Sequence, residues 1–330
     1  MNDRMMTRRA FAASLLAGVA GTASVGLLAH RTRWPDHVVI VGGGVAGAQA
    51  ALVLRTSGQA AVTLIEWDPT RLGRRAAGAF VQTGQLTDFD ALKTAGVDVV
   101  VDEVAAVDWN AARLELFSGR RLAYDRVVFA PGTAARAEPI PGLDARTRHR
   151  WPAAWGSDRE AARLAAQLAA MPEGGHVVLR LPRDVSHPQV ALARLHDLRT
   201  ARPDARLTVL DAARDDSLRT AALGTLAAPA QTLSWHRPGS GGVVLSVDVD
   251  RGRLETDAGA LVADVVNFVP PRNAGPLAVA AGLTDGTGWC PTDSKGFSTL
   301  RDAAVILGDA RAEAPRTARS ARDSALLFRS

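Results

Sequence analysis

The 330 residues contain one cysteine, one tyrosine and two lysines, and each shortage excludes something. A single thiol, Cys290, cannot form an intramolecular disulfide or build a cysteine cage around zinc. The histidines (His30, His37, His149, His176, His187, His196 and His236) show neither HxH nor HxxxH spacing, so no metal site is expected. Aromatic residues make up only 5% of the chain, whereas 47% hydrophobic and 22% charged residues are ordinary for a globular protein. The length suits two domains rather than one. Because only Lys93 and Lys295 are lysines, the basic charge is nearly all arginine, spread along the chain among acidic residues. The formal net charge of +5 therefore reflects composition rather than a basic face. With no basic stripe and no recognisable module, a nucleic-acid partner is not expected.

Long apolar runs are also missing after the first 29 residues. Ala10 to Ala29 is uncharged and rich in Ala, Gly and Leu, and it follows Thr7-Arg8-Arg9-Ala10-Phe11. An arginine pair before an apolar stretch resembles a twin-arginine export signal. The run is just long enough to span a bilayer, so an uncleaved anchor is the alternative. Its Ala/Gly content gives weak hydrophobicity, which suits a signal better. Residues 1–35 are read as signal and linker, with a periplasmic mature protein and no stable span once the signal is removed.

What is present begins at His37. A β-branched run leads into Gly42-Gly43-Gly44-Val45-Ala46-Gly47, an Ala-rich helix follows to Ser57, and Ala61 to Glu66 is a second strand. This places GxGxxG between strand and helix. Gly42 permits the tight turn, Gly44 lets backbone approach a pyrophosphate, and Gly47 lets helix and strand pack closely. The helix N-terminus, with Val45 and Ala46 in its first turn, offers free N–H groups to phosphate. Glu66 is placed to accept hydrogen bonds from the adenosine ribose. Later, Tyr124-Asp125-Arg126-Val127-Val128-Phe129-Ala130-Pro131-Gly132 looks like the strand of flavoprotein reductases that crosses back beside the cofactor. Val305-Ile306-Leu307-Gly308-Asp309-Ala310 looks like their last motif, in which the aspartate binds the ribityl chain. In that order, the segments point to FAD, held by Gly42, Gly44, Val45, Ala46, Gly47, Glu66, Ala130, Gly132, Gly308 and Asp309.

The middle of the chain repeats the architecture without the turn. The strand His176 to Leu181 runs into Pro182-Arg183-Asp184-Val185-Ser186, where no glycine is available for phosphate approach. A nicotinamide site there is not expected. The fold class is α/β with two Rossmann-like dinucleotide-binding domains of the flavin disulfide-reductase type. The divisions are 36–150, the first part of the FAD domain; 151–290, the middle domain; and 291–330, the second part of the FAD domain.

Several further blocks carry a family resemblance: Ala154-Trp155, Met171 to Gly175, Asp264 to Pro271, and Ala281 to Asp293 with its Thr287-Gly288-Trp289-Cys290-Pro291 core. Together with the FAD segments they resemble the flavoprotein subunit of flavocytochrome c sulfide dehydrogenase. The resemblance implies oxidation of a sulfur compound at a cysteine pair beside FAD and transfer of electrons to a c-type cytochrome subunit. Cys290 falls on one redox cysteine of that family. The position of the other, within Arg183 to Pro188, has no cysteine, and the stretch Thr70 to Ala76 has arginines where a flavin-tethering cysteine can stand. The family's continuing C-terminal part does not follow the ribityl motif. Two functions stay open: an exported sulfide dehydrogenase-like oxidoreductase with Cys290 as its remaining catalytic thiol, or a catalytically degenerate FAD-binding or apo subunit in which Cys290 only packs.

Overall fold

Strand β1, His37–Val41, is a run of β-branched residues buried on both faces, as the centre of a parallel sheet requires. The computed structural model describes residues 37–58, 60–73, 89–155, 157–225 and 233–329. The export-signal reading of residues 1–35 lies outside these residues.

After β1 comes helix α1, Val45–Thr56, whose alanines favour helix and allow close packing on the sheet. It ends where Gly58 turns to φ +66°. Strand β2 is Ala61–Glu66 and β3 is Asp98–Val101. A small antiparallel meander follows: β4 Val104–Asp108, β5 Arg113–Leu116 and β6 Arg121–Ala123. The chain returns through β7, Arg126–Phe129, and then through the short β8, Thr133–Ala135.

The middle region opens with α2, Asp158–Ala170, whose N-cap Ser157 accepts from the Glu160 N–H. Strand β9, His176–Leu181, leads to α3, Pro188–Ala201, and then β10, Arg206–Asp211, and β11, Leu233–His236. A second meander, β12 Val244–Asp248, β13 Arg253–Thr256 and β14 Gly259–Val262, precedes β15, Val265–Phe268. Strand β16 is Arg272–Ala274 and β17 is Ala304–Ile306.

Two parallel sheets result, ordered β17-β7-β1-β2-β3 and β11-β10-β9-β15. Each carries its own apolar cores, with α1 on one face of the first sheet and α2 and α3 on one face of the second. The meanders turn at Ser118-Gly119 and at Asp250-Arg251-Gly252. The chain rejoins the first sheet well before residue 291: β16 pairs with β8, and Ala278, Leu283 and Cys290 pack with Val39, Phe129 and Ile306. No helix among the described residues is long and apolar enough to cross a membrane.

Candidate cofactor site

The glycine turn at the end of β1 is shaped by two close approaches. Gly42 has φ +100° and donates to the Ile65 carbonyl at 2.9 Å. A Cβ there would run into the Ala130 carbonyl oxygen, and one at Gly47 would run into the carbonyl of Gly42. Both glycines are thus fixed by the protein's own packing. Gly44 differs. A Cβ at Gly44 would meet no protein atom within 4 Å, and its φ of −65° suits any residue. Gly44 is the N-cap of α1, no side chain caps the helix, and no acidic residue stands in its first turn. The unpaired N–H groups and positive end of the helix macrodipole therefore open onto the bare face beside Gly44, Val45 and Ala46.

Glu66, at the end of β2, is buried and accepts from the Gly43 N–H at 2.7 Å and from the Asp68 N–H at 3.0 Å. It therefore stiffens the glycine turn, a job that its position alone did not show. An ionised carboxylate has about four lone-pair sites, so acceptor capacity remains beyond these two bonds.

The other two segments converge on the same edge, at the C-terminal ends of parallel strands where α/β folds place ligands. The Ala130 N–H donates to Val41 at 2.8 Å, and the small Ala130 side chain lets Gly42 and Gly47 approach. Gly132 adopts φ +61° and has open space where a Cβ would stand. Gly308, after β17, has φ +71°, sits 3.0 Å (as a built Cβ) from the Ala46 methyl, and donates to Ser324 Oγ at 3.0 Å. Asp309 follows. Its Oδ1 is buried with no hydrogen-bond partner, and its Oδ2 lies 3.6 Å from His187 Nε2. An orphaned buried carboxylate oxygen is costly unless something else supplies a donor.

Cys290 is in a different setting. It is fully buried in the apolar cluster with Leu283, Ala304, Ile306 and Ala310, and its backbone bonds to Ala310 and Ala312. Burial first, and the negative charge of Asp285 second, push its thiol up to about 12. The thiolate is the reactive form, so Cys290 as placed packs as a small hydrophobe rather than as a nucleophile.

The loop between β9 and α3 supplies residues to which the sequence attached no role. Its backbone turn contains no glycine; instead Ser186 Oγ lies 2.7 Å from His187 Nδ1, and the buried His187 ring stands edge-on to Trp155 with centroids 5.7 Å apart. Trp155 is held in turn. Ala154 adopts φ +50°, unusual for a residue with a Cβ, and its N–H donates to Glu160 Oε2 at 3.0 Å. Arg194, wholly buried on α3, donates to the Ala154 carbonyl and to Asn267 Oδ1. Asn267 Nδ2 donates to Pro152 and Ala153. Burial lowers the Arg194 guanidinium to about 10, still charged at neutral pH. The signal for His187 lay in the sequence: a histidine just before a helix-starting proline, in the loop where the resembled family has its cysteine.

Residues 36–165 match the family model described as Pyridine nucleotide-disulphide oxidoreductase, which is less than half of the chain. The benzene 1,2-dioxygenase system ferredoxin–NAD(+) reductase subunit of Pseudomonas putida is 30% identical over 116 residues, which are 32% of this chain and 28% of that protein. The matched stretch thus spans little more than a quarter of that relative. Among solved structures, a ferredoxin reductase from Rhodopseudomonas palustris superposes with a TM-score of 0.65 at 17% identity, covering 89% of this chain and 76% of that one. The sulfide:quinone oxidoreductase of Aquifex aeolicus gives 0.64 at 16% identity, covering 88% and 75%. With its two parallel sheets and these likenesses, the chain has the two-domain Rossmann-like fold of the flavin disulfide reductases.

Proposed function

We propose that this protein is an FAD-dependent oxidoreductase whose flavin is held on the first sheet. The observation that carries the reading is a contrast within one turn. Gly42 and Gly47 are explained by protein packing, but the bare Gly44 and the orphaned Oδ1 of Asp309 are explained by a ligand. Gly44 and the start of α1 would face the pyrophosphate, Glu66 the ribose and Asp309 the ribityl chain. FAD, when bound, supplies an acceptor of two electrons that can pass them on singly. The protein's own contribution is to hold its phosphate and sugar groups against the strand ends.

The finer reading follows the resemblance: electrons from a small sulfur compound to FAD and on to a c-type cytochrome, in the periplasm after twin-arginine export. The likeness to a sulfide:quinone oxidoreductase supports the sulfur end of that reading. The burial of Cys290 favours a second reading, in which the flavin is bound but a thiol-based sulfur reaction does not run. The visible spectrum of purified protein tests the first step. Flavin bands, present as isolated or regained on adding FAD, are the expected result, and a protein that stays colourless contradicts it. Anaerobic bleaching by sulfide then separates the two readings, since the second predicts no bleaching.

A further inference from the structure

We infer that His187 is a positioning residue for FAD, acting from the middle domain by holding Asp309, so that flavin retention depends on the loop between β9 and α3. The inference rests on the FAD reading above and adds a residue that the glycine and aspartate motifs do not contain.

The geometry separates His187 from an ordinary satisfied core histidine. Such a residue has both ring nitrogens in full hydrogen bonds, as His176 does with Val262 O and Thr208 Oγ1, each at 2.8 Å. His187 has one, at Nδ1 with Ser186 Oγ. Its Nε2 stands 3.6 Å from Asp309 Oδ2, beyond hydrogen-bond length yet near enough for a ring N–H dipole to face the carboxylate. The tautomer in which Ser186 Oγ donates to Nδ1 carries its ring proton on Nε2, on the side that faces Asp309. Asp309 is thereby drawn on one oxygen and left open on the other, Oδ1, which is buried and unpartnered. A carboxylate so oriented accepts a ligand hydroxyl without first searching rotamers, which lowers the ordering cost of binding.

The surroundings hold the imidazole in place. Trp155 packs edge-on against it, and Trp155 follows the strained Ala154, fixed by Arg194, Asn267 and Glu160. Arg272 also donates to the Trp155 carbonyl, at 3.5 Å, and to Thr133 O, at 2.7 Å, next to Gly132. A cation whose charge reaches Asp309 is Arg316. Its guanidinium already donates to the carbonyls of Arg311, Ala312 and Ala314 and lies over the Trp289 ring. The contact of His187 with Asp309 therefore links the loop after β9 to the segment after β17.

The test is FAD affinity of the full chain, titrated by quenching of flavin fluorescence. His187→Ala is expected to raise the dissociation constant about tenfold, equivalent to about 1.4 kcal/mol. His187→Gln, whose amide N–H can reach toward Asp309, is expected to recover most of that loss. In an Asp309→Ala background, which has no side-chain acceptor, the alanine substitution at His187 should cost less than about twofold, because the interaction it removes is already gone. An unchanged affinity for His187→Ala, or the same tenfold loss with Asp309 replaced, overturns the inference. If the alanine variant fails to fold, His187→Phe in place of alanine, compared with His187→Gln, decides it: equal FAD affinity in the two contradicts a role for the N–H. Failure of the unsubstituted protein to bind FAD overturns the cofactor reading instead, so the two failures are distinguishable.

Discussion

The two strand-to-helix junctions, Val41 to Val45 and Leu181 to Pro188, occupy equivalent places in two similar sheets and have been built for different purposes. The first turns through three glycines and leaves the start of α1 bare. The second has no glycine and is filled by Pro182, His187 and Pro188, with the imidazole locked between Ser186, Trp155 and Asp309. One junction leaves open space beside Gly44, where the proposed flavin would place its pyrophosphate. The other uses its side chains to support its neighbour. The same architecture therefore carries one nucleotide-type edge and one bracing edge.

Substitutions can break this comparison, and their expected effects on stability descend in order. Gly47→Val should be the most severe, because even a Cβ collides with the Gly42 carbonyl; a loss of about 4 kcal/mol or outright failure to fold is expected in denaturant titration. Arg194→Met strikes the bracing edge. It leaves the Ala154 carbonyl and Asn267 Oδ1 without this donor, and about 3 kcal/mol should be lost by the same assay.

A smaller effect comes from His176, buried between Val262 and Thr208. Burial lowers its pKa below the ordinary 6.5. The unfolded chain therefore takes up the proton first, and stability that is complete above pH 6.5 falls as the pH drops below it. Stability should fall between about pH 7.5 and 5.5, and His176→Gln should flatten that slope. Smaller still is the expectation for Cys290. At pH 8 its thiol, pushed up to about 12, should not react with an aromatic disulfide reagent until the protein is unfolded. Rapid labelling of the native protein would show that the buried cluster opens and would revive a redox role.

Much of the first edge was legible in the sequence because its constraints are local. A strand, a glycine turn and a helix occupy consecutive residues, and Gly132 and Gly308 stand at strand ends marked by β-branched runs. Of the bracing edge only the placement of His187 before a helix-starting proline was legible; its contacts were not, since they join residues far apart in the chain: Arg194 with Ala154, Asn267 with Pro152, His187 with Asp309. The chemistry of Cys290 was hidden for the same reason. Its motif gave a position, but its reactivity depends on Leu283, Ile306 and Ala310 closing around it. Short elements such as β8, β11, β14 and β16 have three or four residues each, too few to show a period.

Gly44→Ala separates ligand space from protein packing when denaturant titration and FAD titration are paired on the same protein. Since a Cβ there meets no protein atom and the backbone is not left-handed, the expected stability cost is that of Ala in place of Gly at an N-cap, about 1 kcal/mol or less. FAD affinity should fall about 100-fold, because the added methyl occupies the approach to the start of α1. Unchanged FAD affinity, or a loss of stability like that of Gly47→Val, would contradict the account.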